Sequence, residues 1–147
     1  METALTALQQ AYLLGRSDRW PLGGVAMHDF REYRARQPDM PRFEARLTEL
    51  VKHYPALRTC IDVQRGTQHV RPEVTLHLDR HDLRALDGEA AQRQVEQLRE
   101  RYSHQRHDPS QPLWRIAVIQ LAEQQDPTGS PYDTLIFTSF DALILDG

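Results

Sequence analysis

Two carboxylates, Asp141 and Asp146, stand five residues apart and bracket a wholly apolar tetrapeptide, Ala142-Leu143-Ile144-Leu145. They follow an apolar-rich run over 135–140, so charge appears where a core strand would otherwise continue. Burying a carboxylate is costly unless it is paired, and such positions usually have a job. On spacing alone the pattern reads as a solvated loop after a last strand. A second set, His77, Asp79 and His81, alternates and would share one face of a strand. Three such ligands can hold zinc with an open position, but no further ligand is near in sequence, and surface turn residues are the better reading. His104, His107 and Asp108 close a predicted helix, where a cationic side chain favours the negative end of the dipole. Cys60 lies in a mostly apolar segment and reads as a small buried hydrophobe rather than a nucleophile. The sequence contains no Gly-x-Ser-x-Gly elbow, Walker-type loop or dinucleotide fingerprint.

Composition narrows the classes. The 147 residues fit one domain with a sizeable core. A net charge of -3 with scattered Arg argues against nucleic acid as the main partner. Neither a membrane-length apolar run nor a signal-peptide start is present, so the cytoplasm is the default expectation. The lone cysteine excludes an internal disulfide and a cysteine-rich metal site.

The elements that must position these residues follow from periodicity. Residues 3–15 place Leu5, Leu8 and Tyr12 on one helical face, with Gly15 as a stop. Gly23-Gly24 opens a half-buried strand over 25–33. Asp39 and Pro41 start a helix with the face Phe43, Leu47, Leu50, Val51 and Tyr54, closed by Pro55. Strands are predicted over 57–63 and 74–78, with 68–70 a short hairpin partner of the first. Asp87 caps a long helix with the stripe Ala91, Val95, Leu98 and Tyr102. Segments 113–122 and 132–140 read as adjacent antiparallel strands at the centre of a sheet, packed by the Phe43 and Val95 helices. This is an α+β lobe with about three helices and five or six strands in a mixed or antiparallel sheet.

Several segments, in order, resemble the N-terminal half of a condensation-type domain of non-ribosomal peptide synthetases, nearest the heterocyclization subfamily. They are Leu5-Thr6-Ala7-Leu8-Gln9-Gln10-Ala11-Tyr12 with Gly15-Arg16; Leu22-Gly23-Gly24-Val25 with His28; and His53-Tyr54-Pro55-Ala56-Leu57-Arg58. Ser103-His104 with Pro112-Leu113-Trp114-Arg115-Ile116 follows, and then Asp141-x-x-x-x-Asp146, which resembles the signature replacing the His-His-x-x-x-Asp-Gly of ordinary condensation domains. Laid on that motif, Asp141 replaces the first His and Ala142 the second, the one usually assigned to the acceptor amine. A methyl group moves no proton. Gly147 departs toward the ordinary motif.

The resemblance implies a chloramphenicol-acetyltransferase-like lobe, residues 1–147, running up to the active-site loop of a two-lobed domain. It implies amide formation between carrier-bound acyl or peptidyl and aminoacyl thioesters, then cyclodehydration of a Cys, Ser or Thr side chain to a thiazoline or oxazoline. It implies no directly bound cofactor, only phosphopantetheine-tethered substrates. The implied partners are carrier domains, the C-terminal lobe and an adenylation domain of the same synthetase, in natural-product and siderophore biosynthesis, and the lobe alone is expected to be inactive. Asp141 and Asp146 are the implied site residues. Asp146 is expected to be mainly structural and paired with Arg58, while Asp141 faces the tunnel as a positioning or polarising group. The alternatives are a catalytically silent docking module, an ordinary amide-forming domain, or another acyltransferase of the same fold.

Overall fold

The computed structural model describes residues 2–19, 21 and 23–145. Strand β1 (Glu2–Ala4) precedes helix α1 (Ala7–Gly15), and β2 (His28–Ala35) leads to α2 (Met40–His53). After a 3₁₀ turn at Pro55–Arg58 come β3 (Thr59–Asp62), β4 (Thr67–Val70) and β5 (Asp79–Asp82). Helix α3 (Gly88–Ser103), β6 (Trp114–Gln125) and β7 (Pro131–Asp141) follow, and a second 3₁₀ turn at Ala142–Ile144 ends the described chain.

Two sheets form, one in the order β1-β4-β3 and one in the order β2-β7-β6-β5. Within the larger, β6 and β7 are central and antiparallel, with Trp114 opposite Phe140 and Val118 opposite Ile136, whereas β5 joins β6 in parallel. Both faces of β6 are covered, which explains its unbroken apolar run. Ile116 and Val118 join Val51, Phe43 and Leu47 of α2 in one cluster. Ala117 and Ile119 join Val95, Leu98 and Tyr102 of α3 in the other. The expected α+β class and central strand pair are therefore observed.

The helices start where their capping chemistry dictates. Asp39 accepts from the Arg42 N–H at 3.0 Å, and Asp87 accepts from the Ala90 N–H at 2.8 Å. Thr6 and Gln9 exchange a capping box at the head of α1.

That box corrects the first predicted helix. Residues 2–4 pair with β4 as a strand, and the helix begins only after Thr6. The predicted strand at 25–33 begins three residues later, where pairing with β7 becomes available. Residues 55–58 are helical because Pro55 starts a 3₁₀ turn, leaving only Thr59–Asp62 extended. Val74 and Leu76 pack against the core without pairing in a sheet. The residues that pair beyond them are Asp79–Asp82, opposite Ala117–Gln120 on the free edge of β6. Seven strands result among the described residues, rather than five or six.

Candidate active site at the end of strand seven

Strand β7 changes character at its end. Its inward positions Leu135 and Phe137 are apolar, and then Ser139 and Asp141 continue on the same side as polar groups, at 0% and 1% exposure. Polar atoms so deeply buried require partners. The Asp141 Oδ2 meets the Arg16 guanidinium in an ion pair, and the second arm of that guanidinium (Nη2) donates to the His107 carbonyl. His107 is itself 5% exposed, and its Nε2 lies 3.0 Å from the Ser139 hydroxyl. Arg16 enters from the C-cap of α1, and its own carbonyl accepts from Arg106 at 2.7 Å.

The turn after Asp141 is held by several main-chain bonds. The Asp141 N–H donates to Leu113 O at 2.9 Å, and the Ala142 N–H donates to Met27 O at 2.9 Å. The Leu143 N–H donates back to Asp141 Oδ1 at 3.1 Å, and the Leu143 carbonyl accepts from the Gln9 side chain at 2.9 Å. Gln9 is 2% exposed and also reaches Gln68. Ala142 and Leu143 are buried, while Leu145, Met27, Val25 and Leu14 leave an apolar rim beside the turn, each at least half exposed. The main-chain bond from Gly24 N–H to Gly15 O at 3.1 Å brings the Val25 side of this rim to Leu14.

Two histidines border the ion pair. His28 stands opposite Asp141 in the β2–β7 register, and its Nδ1 is 3.1 Å from Ala26 O. A carbonyl only accepts, so Nδ1 carries the proton, and Nε2 is buried with no partner among the described residues. Burial holds His107 down to about 4; Asp141 opposes that shift, and His28, Arg16 and Arg115 reinforce it. His107 is therefore neutral at ordinary pH.

The sequence-derived residues fall into separate places. Asp141 is buried and ion-paired to Arg16. Asp146, and with it the expected pair with Arg58, lies outside the described residues. Arg58 spends its guanidinium on main-chain carbonyls, bonding Val51 O at 3.1 Å and Lys52 O and Pro72 O at 3.3 Å each, along with Arg71 O. It thereby caps the C-terminal carbonyls of α2. His77 is exposed 3.5 Å from Asp79, and Asp79 accepts from the buried Tyr102 hydroxyl at 2.7 Å and from Arg115 at 3.2 Å. His81 turns to Tyr102 at 3.3 Å, and no cluster of three or more metal-ligating side chains forms among the described residues. His104 bonds the Glu100 carbonyl at the end of α3. Cys60 is fully buried, which raises its thiol pKa against the opposing charge of Arg71.

Sequence reasoning missed Arg16, Gln9, His107 and Ser139 as parts of this site. The available signal was parity: Ser139 and Asp141 are polar at the positions that continue the face of the apolar Leu135 and Phe137. Arg16, 125 residues from Asp141 in sequence, carries no local sign of its partner.

A family profile described as Condensation domain matches residues 32–128. The chain belongs to the condensation-domain family. Among curated proteins it is 37% identical over 110 residues to "Phenyloxazoline synthase MbtB" of Mycolicibacterium paratuberculosis, covering 71% of this chain and 9% of that protein. It is 37% identical over 102 residues to "Pyochelin synthetase PchF" of Pseudomonas aeruginosa, covering 68% of this chain and 6% of that protein. "Bacitracin synthase 1" of Bacillus licheniformis is 31% identical over 144 residues, which cover 97% of this chain and 2% of that protein. The chain thus spans under a tenth of the length of each of these relatives. Among solved structures, the EpoB NRPS cyclization-docking bidomain from Sorangium cellulosum superposes with a TM-score of 0.84 at 23% identity, over 97% of this chain and 27% of that one. That likeness is one of fold, and it places this condensation-domain chain in the same α+β lobe architecture. No helix among the described residues is long and apolar enough to cross a membrane.

Proposed function

We propose that this chain is the first lobe of a heterocyclization-type condensation domain, with its signature motif at residues 141–146. The observation that carries the reading is the chemistry of residues 141–145. Their single titratable group, Asp141, is consumed by Arg16 and the Leu143 N–H, and the next position presents only the methyl of Ala142. A turn with no free base is unsuited to the His-dependent route of ordinary amide-forming domains. Relatives whose names carry phenyloxazoline synthase and cyclization support the same reading.

The reaction has two stages. The amine of a carrier-bound Cys, Ser or Thr attacks the donor thioester, so a C–N bond forms, the C–S bond breaks and the proton goes to the departing thiolate. The side-chain sulfur or oxygen then attacks the new amide carbon, and water leaves to give the thiazoline or oxazoline. Both substrates ride on phosphopantetheine arms of carrier domains loaded by an adenylation domain, and a second lobe completes the tunnel. The apolar rim of Leu14, Val25, Met27 and Leu145 is a surface such a lobe would cover.

The test uses the full synthetase containing this chain, with loaded carriers and intact-mass detection of the carrier-bound product. The reading expects the amide less one water. A stable linear amide would instead assign ordinary condensation, and absence of acyl transfer would assign a silent docking module.

A further inference from the structure

The contacts around Asp141 close into a ring: Asp141 to Arg16, Arg16 to the His107 carbonyl, the His107 ring to Ser139, and Ser139 back to Asp141 along two residues of β7. The ring joins three elements distant in sequence, namely the end of α1, the loop between α3 and β6, and β7. All four members are buried. In such an enclosure a polar bond keeps its strength and its geometry, and a closed ring fixes the carboxylate plane in a way that a single ion pair would not. That plane matters because the other oxygen of Asp141 accepts the Leu143 N–H and so sets the first bend of the signature turn.

We propose that His107 is a positioning residue for the signature turn, acting through Ser139 and Arg16 to set the height at which residues 142 and 143 are presented. The main-chain carbonyl of His107 serves Arg16 whatever side chain stands there, so the ring nitrogen has a separate task. It pins that carbonyl relative to β7 by binding a hydroxyl two residues before Asp141. The neutral state of the buried ring suits this, since Nε2 and the Ser139 hydroxyl can share one proton without placing a second cation beside Arg16.

The inference rests on the heterocyclization reading for its chemistry, but its test separates the two. In the full synthetase, Ser139→Ala, His107→Leu, their double variant and His107→Gln are compared with the parent. Each single change is expected to accelerate hydrogen exchange in the peptide spanning 141–145 by about five- to tenfold, the worth of one lost hydrogen bond. Each is expected to lower kcat, with KM for the loaded carrier unchanged. The double variant should be no worse than either single one, because both remove the same bond, and the Gln side chain should restore part of the loss. Additive effects, unchanged exchange at 141–145, or faster exchange without any change in kcat would each overturn the proposal. Ser139→Ala removes a single oxygen and keeps the test available if His107→Leu fails to fold. Should the parent release only linear amide, the heterocyclization reading fails, while kcat for amide formation still reads the positioning role.

Discussion

Replacing Asp141 by alanine leaves the Arg16 guanidinium buried beside a single carbonyl. The two side chains are 9% and 2% exposed, so neither charge has water to fall back on. Removing one partner of such a pair costs about 3–5 kcal/mol, and the Leu143 N–H also loses its acceptor, a group whose burial unpaired costs about 1–3 kcal/mol. These losses overlap in one network, so a total of about 4–5 kcal/mol is expected. For a chain of this size each kcal/mol moves Tm by roughly 2–4 °C, which predicts a fall of roughly 8–20 °C. Asp141→Asn keeps an acceptor for Leu143 and should lose clearly less. The paired change Arg16→Met with Asp141→Leu should recover much of the loss, because apolar replacements of a whole buried pair are often tolerated. Glu89→Ala breaks a pair exposed at 61% and 85%, and sets the baseline at under about 1 kcal/mol. A thermal melt of Asp141→Ala within about 2 °C of the parent, where the scaling above expects several times that, would refute the reasoning. So would a double variant less stable than either single one.

Other expectations follow from neighbouring features. His107 is held from its ordinary 6.5 down to about 4, so the unfolded chain takes up its proton first; its contribution to stability is complete above 6.5 and is lost as pH falls toward 4. His107→Gln should therefore flatten the acid limb of stability in that window, and a histidine signal that stays neutral to about 4 in an NMR titration should disappear. Tyr102, raised by burial and by its bond to Asp79, should resist ionisation after the exposed tyrosines have titrated in ultraviolet difference spectra. Tyr102→Phe should cost about 1–2 kcal/mol in urea denaturation, with Asp79 still held by Arg115. Gly24 has φ +85°, and an added Cβ would meet the Asp18 carboxylate. Asp18 can swing into solvent, so the backbone conformation dominates, and Gly24→Ala should lower stability by about 1–2 kcal/mol.

Much of this architecture was legible because it is local. Asp39 and Asp87 announced their helices, and the stripe Ala91, Val95, Leu98, Tyr102 named the buried face of α3 without error. The continuous apolar character of residues 116–119 identified a strand covered on both faces. The failures lie where a partner decides. Residues 2–4 have no strand signal of their own and are extended because β4 offers an edge, while Val74 and Leu76 look like a strand yet find none to pair with. At the site, the carboxylate of Asp141 was visible as an anomaly at a strand end, but its partner was not. Arg16 sits just after Gly15, where a basic residue usually means a solvated helix end, and only the folded chain carries it to Asp141. Arg58 caps carbonyls at the end of α2, a contact set by how the 3₁₀ turn folds back and not by any local sequence signal.

If the parent domain both joins and cyclises its substrates, as proposed, the fate of one oxygen atom reveals it. The full synthetase is supplied with a donor thioester labelled with heavy oxygen in its carbonyl and with a carrier-bound Cys acceptor, and the product is weighed on the carrier. Attack by the Cys sulfur on the amide carbon expels that oxygen as water, so the expected ring product has lost the label along with the mass of one water. A product that retains the label in a linear amide would contradict it.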